Sequence, residues 1–120
     1  MISKAQENLD CAEDLLAWMY YDAAANRAYY AAYQAGWHFL AEKNIPIPTK
    51  NGRTYWPHDK ILTALEDEGM APFLGWDREF DYLQQQRVKA DYRADKLKQS
   101  AIESALPHAR RIVEWVRQNA

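Results

Sequence analysis

The chain has a single cysteine, Cys11, and only four glycines. A lone cysteine excludes an internal disulfide and any cysteine-based zinc site, and it suits a reducing compartment. On a helix it reads as a small packing residue rather than a nucleophile. The glycines are scattered and form no phosphate-binding loop. There is no Gly-x-Ser-x-Gly elbow and no base beside Cys11, so nothing points to nucleophilic catalysis. Glu-x-x-His pairs are missing too. His38, His58 and His108 have no second ligand at helical spacing, so neither a metal nor a cofactor is expected. No apolar run approaches the length of a membrane span, and Met1-Ile2-Ser3-Lys4 does not open a signal peptide. A cytoplasmic protein with no membrane contact is the expectation. Alternating runs long enough for strands are absent as well.

What is present is aromatic and alanine-rich. The 120 residues make one domain, 1–120, of ordinary hydrophobic and charged content, but five Trp and eight Tyr are many for one small core. Some are expected at an interface, with Tyr55, Trp56 and Trp76 as candidates. A net charge of −2 leaves room only for a local basic patch.

The central stretch is Tyr21 to Leu40. Alanine is the best helix former, and the stretch has no proline, so one helix of about five turns is predicted. Ala24, Ala28, Ala31, Ala32 and Ala35 allow close packing. Tyr29, Tyr30, Tyr33, Trp37 and Leu40 follow one buried stripe. Arg27, Gln34 and His38 share another face, where the arginine needs a partner. Before this helix, Ser3 and Gln6 form a capping-box pattern that starts a first helix near Lys4. The turn Tyr20-Tyr21-Asp22 is short enough to force an antiparallel hairpin of helices, with Asp22 as the expected cap.

Asn44 to Pro57 is the one long loop, with a strong turn signal at Asn51-Gly52. A third helix is predicted from about Pro57 to Glu68, ended by Gly69. A fourth, capped by Asp77, runs through Arg93 or beyond. The fifth covers roughly Lys96 to Gln118, with a kink or break expected at Pro107. The fold class is therefore all-α, an up-and-down bundle of four to five helices.

Charge concentrates in Gln86 to Lys98. Arg87, Lys89, Arg93, Lys96 and Lys98 outnumber Asp91 and Asp95 there. A solvated helix end accounts for Lys89, Lys96 and Lys98. Arg87 falls on the inward face, where a guanidinium needs a partner or a phosphate. Asp91, one turn on, is a suitable partner for Arg87 or for Arg27.

Two segments carry a resemblance. Ala25-Asn26-Arg27-Ala28-Tyr29-Tyr30-Ala31-Ala32-Tyr33, followed much later by Arg87-Val88-Lys89-Ala90-Asp91-Tyr92, resembles the HEPN domain family. The family pattern is an Arg-Ala-Tyr-Tyr-Ala helix and then an Arg-x-x-Ala-Asp-Tyr helix. A His-Asp pair often opens the helix between them, as His58-Asp59 does here. The likeness runs from about Ala5 to Val116 and implies a helical bundle, usually a homodimer.

Many members resemble one another as metal-independent ribonucleases, with a motif of Arg, four to six residues, then His. In such chemistry a base takes the 2′-hydroxyl proton and the arginine stabilises the phosphorane. This chain has Arg87, but Tyr92, Arg93 and Ala94 stand where the histidine should. With a reference pKa of about 10, tyrosine is a poor base.

Three readings follow. The first is a non-catalytic module that binds nucleotide or nucleic acid in a groove lined by Arg87, Asp91 and Tyr92, with Arg27 and His58 flanking it. The resemblance implies a role beside a small nucleotidyltransferase in a two-gene toxin–antitoxin-like or defence system. In the second, the chain is a ribonuclease: Arg87 grips phosphate and His58 or Tyr92 moves the proton. The third makes Arg27, Arg87 and Asp91 a structural ion-pair network.

Overall fold

The computed structural model describes residues 2–93 and 96–120. Alanine-rich and leucine-rich stretches give five helices: α1 (Ile2–Ala17), α2 (Tyr21–Glu42), α3 (His58–Asp67), α4 (Trp76–Tyr92) and α5 (Gln99–Asn119). Two short strands, β1 (Thr49–Lys50) and β2 (Arg53–Thr54), pair antiparallel in the loop before α3. The all-α expectation holds, with this small hairpin added.

α2 is the axis of the bundle and contacts each of the other helices. Its small residues make this close approach geometrically available. Ala24, Ala25, Ala28, Ala31, Ala32, Ala35 and Gly36 are all buried on it, together with Tyr29, Phe39 and Leu40. α1 and α5 close one side through Ala5, Leu9, Ala12, Ile102, Ala109, Ile112 and Val116. On another side, α3 contributes Ile61 and Leu65, and α4 contributes Phe80 and Leu83.

The hairpin loop is built by its turn. Asn51 and Gly52 both have positive φ, 54° and 75°, the backbone that a two-residue turn between twisted strands requires. Thr49 then faces Thr54, and Lys50 faces Arg53. Trp56 follows, buried, and its carbonyl accepts a 2.7 Å hydrogen bond from the Tyr33 hydroxyl. That contact fixes the loop on α2 and delivers His58 to the start of α3.

Several local expectations need correction. Asp22 does not cap α2; its Oδ1 accepts instead from the Leu97 amide at 2.9 Å, tying α2 to the connection before α5. Gly75, with φ of 80°, takes the cap position of α4 that was expected of Asp77. Pro107 lies inside α5, which runs unbroken across it. Cys11 is exposed rather than packed. Trp56 and Trp76 belong to the core, not to a surface. Tyr55 is exposed, and so are Trp18, Met19 and Tyr20 at the α1–α2 turn and Leu74, Val88 and Tyr92 elsewhere. Among the described residues no helix is long and apolar enough to cross a membrane.

Candidate functional site

Arg87 sits on α4 where that helix crosses α2, half-buried beneath the solvent-facing edge. Its guanidinium carbon lies 5.2 Å from the centre of the Tyr29 ring and 5.8 Å from that of Tyr30. The quadrupoles of both rings attract the cation there. Nε donates to Gln84 Oε1 at 2.9 Å, and Nη1 donates to Asp91 Oδ2 at 3.0 Å. These residues stand one turn before and after the arginine, so α4 itself supplies both acceptors. The second oxygen of Asp91 accepts from Asn26 Nδ2 of α2 at 3.5 Å. Nη2 has no protein acceptor among the described residues.

Tyr29 connects this arginine to a second polar chain. Its hydroxyl lies 3.1 Å from His58 Nδ1, and His58 Nε2 lies 3.0 Å from Asp81 Oδ1. Burial pushes the Tyr29 hydroxyl well above the usual tyrosine range, and the nearby Arg87 charge only partly opposes this. The hydroxyl therefore stays protonated, and against a neutral imidazole it donates to Nδ1. The imidazole proton is then on Nε2, where it donates to Asp81. Both ring nitrogens of His58 are thus engaged within the protein. Tyr33 is likewise raised by burial.

The residues expected to form the groove divide between two places. Arg87 and Asp91 meet as an ion pair, and Tyr92 follows at the end of α4 with its side chain exposed. His58 reaches the same cluster through Tyr29. Arg27 does not. It is exposed and donates through Nη1 to Asn8 Oδ1 of α1 at 3.3 Å, while Asn8 Nδ2 donates to Gln34 Oε1 at 2.7 Å. Arg27 and Gln34 do share a face, but that face looks to α1 rather than to α4. Successive helical residues turn by about 100°, so Asn26, not Arg27, faces Asp91. A network joining Arg27 to Arg87 and Asp91 is therefore not formed.

Residue reading by itself missed Asn26, Asp81 and Gln84, and it treated Tyr29 and Tyr30 only as core. Helical spacing offered one usable signal: Asp81, Gln84, Arg87 and Asp91 repeat every three or four positions along α4. On the exposed side of α4, Gln84, Gln85, Val88, Lys89, Tyr92 and Arg93 line a surface cavity of about 520 Å³, and neither Arg87 nor Asp91 is in its lining. Ala94, where a motif histidine could also stand, lies outside the described residues. No group of three or more His, Cys, Asp or Glu able to hold a metal occurs among the described residues.

The fold and site define a helical bundle whose fourth helix presents an arginine on a tyrosine pair of its second. The HEPN domain family model matches residues 1–119, and the chain belongs to that family. Membership places it in general among nucleotide- or RNA-related or toxin-like modules. No curated protein matches the chain significantly.

Proposed function

We propose that this chain is a non-catalytic HEPN binding and partner module that takes nucleotide or nucleic acid at a groove lined by Arg87, Asp91 and Tyr92. The observation that carries this reading is the state of Arg87. Its position is preset by Gln84, Asp91 and two aromatic rings, while Nη2 remains without a protein acceptor among the described residues. A preorganised guanidinium loses little freedom when it meets a phosphate. Exposed Tyr92 adds a ring on which a base can stack.

The competing ribonuclease reading needs a base. His58 is turned to Tyr29 and Asp81 rather than to Arg87, its two ring nitrogens 3.1 and 3.0 Å from their side-chain oxygens. Tyr92 has no hydrogen-bond partner among the described residues that would draw off its proton. The reading of Arg87 as a structural clamp has one specific support, the Arg87–Asp91–Asn26 link between α4 and α2.

The cellular setting we propose is cytoplasmic, in a two-gene toxin–antitoxin-like or defence system with a small nucleotidyltransferase as protein partner. A homodimer goes with this reading. Val88 and Tyr92, exposed on α4 beside Arg87, support placing the dimer contact at the rim of the groove.

The test is a melting series with adenosine nucleotides and with a short oligoribonucleotide, on wild type and Arg87→Lys. Saturable stabilisation of the wild type, lost in Arg87→Lys, is the expected result. A wild type whose melting temperature ignores every ligand, with Arg87→Ala merely less stable, makes Arg87 a structural clamp instead.

A further inference from the structure

A second cavity lies on the other flank of α4, against the start of α5, and the Arg87 groove makes no use of it. Its volume is about 510 Å³, and its lining includes Tyr82, Gln86, Lys89, Lys96, Lys98 and Ser100. Tyr82, Gln86 and Lys89 are spaced to share one face of α4, about a third of a turn from the face of Arg87. Among the described residues no carboxylate lines the cavity.

Two independent features point to an anion there. The first is the N-terminus of α5, a helix of 21 residues. Lys98 is its cap residue, in extended backbone, and no side chain caps it. The Ala101 amide turns back to the Lys98 carbonyl at 3.1 Å, whereas the amides of Gln99 and Ser100 have no intrahelical acceptor. Those free amides and the helix dipole favour negative charge. The second feature is Gln86, the one buried polar or charged residue of the bundle among those described, only 5% exposed. Its side chain lines this cavity and has no hydrogen-bond partner among the described residues. Its amide therefore reaches the open space of the cavity rather than a partner within the bundle.

We infer that this cavity is a second phosphate site, distinct from the Arg87 groove. The Gln86 amide and the Gln99 and Ser100 backbone N–H groups donate to phosphate oxygens, and Lys89, Lys96 and Lys98 neutralise the charge. Asp22, held against this connection, accepts from the Leu97 amide and is not among the residues lining the cavity. The lysines that read as a solvated helix end thereby gain a common role. The phosphate belongs either to a free nucleotide or to a nucleic-acid backbone.

Amide NMR titrations of the full chain test this at fixed ionic strength, with inorganic triphosphate, ATP, adenosine and a single-stranded oligoribonucleotide without terminal phosphates. Triphosphate is expected to shift the Gln99 and Ser100 amides and the Gln86 side-chain amide saturably, and adenosine is not. Lys96→Ala/Lys98→Ala, at exposed positions, is expected to weaken that binding about tenfold or more. Gln86→Leu provides a second, independent variant with the same expected direction. If ATP shifts these signals at lower concentration than the oligoribonucleotide, the source is a free nucleotide; the reverse order assigns a nucleic-acid backbone. Shifts that never saturate, shifts equalled by sodium chloride, or shifts confined to Arg87 and Tyr92 would overturn the second site.

Discussion

Arg87 illustrates how a residue's surroundings decide its role. A guanidinium placed over two tyrosine rings, with Gln84 and Asp91 as acceptors, cannot be replaced by a compact ammonium. Arg87→Ala is expected to lower stability by about 2 kcal/mol, roughly 8 °C in melting temperature. Arg87→Lys should recover little of it, as a thermal melt will show. Tyr29 makes a different kind of prediction. Its hydroxyl titrates above the normal tyrosine range in the folded protein because burial disfavours the phenolate. Its contribution is therefore fully present below the unfolded tyrosine value of about 10 and is lost as pH rises beyond it. Stability should hold to about pH 10 and then fall, less steeply in Tyr29→Phe. Of the eight tyrosines, Tyr29 and Tyr33 should ionise late in an absorbance titration. The sequence displayed Arg87 and Asp91 as a pair because both lie on one helix, one turn apart. It could not display Asn26, since the choice between Asn26 and Arg27 depends on which neighbour each face of α2 meets.

At the scale of elements, α2 was legible because alanine content and aromatic spacing are local properties. The Asn51-Gly52 turn was equally legible, since positive φ at both positions belongs to those residue types. Asp22 was not, because its acceptor role is filled by the Leu97 amide, far along the chain. Pro107 makes no break for a related reason: tertiary packing of Ala105, Leu106, Ala109 and Ile112 holds α5 helical through a residue that disfavours it locally. Gly36 gives a test of how closely α2 meets α3. A β-carbon added there would stand 2.9 Å from Leu65 Cδ1 and 3.6 Å from Ile61 Cδ1. Leu65 is fully buried and has little room to yield. Alanine favours a helix by about 0.5–1 kcal/mol over glycine, but overpacking costs about 1–3 kcal/mol. Chemical denaturation should therefore find Gly36→Ala destabilised by roughly 1 kcal/mol and Gly36→Val by more.

For the whole molecule, the bundle and its family were readable from two paired motifs, whereas the distribution of aromatics was not. Trp56 and Trp76 looked spare in the sequence because nothing local reveals that the hairpin loop and the start of α4 fold back onto α2. Once they are placed in the core, Val88 and Tyr92 are exposed beside the site. Sedimentation should give a mass near twice the 14.0 kDa chain, and Val88→Asp should return it to that of one chain. RNA held at Arg87 without being cut is the expected behaviour, because no imidazole base among the described residues is turned to the guanidinium. Its most direct test is labelled RNA incubated with purified wild type and Arg87→Ala in excess chelator. RNA left intact by both proteins is the predicted result; cleavage by wild type that disappears in Arg87→Ala would contradict the account.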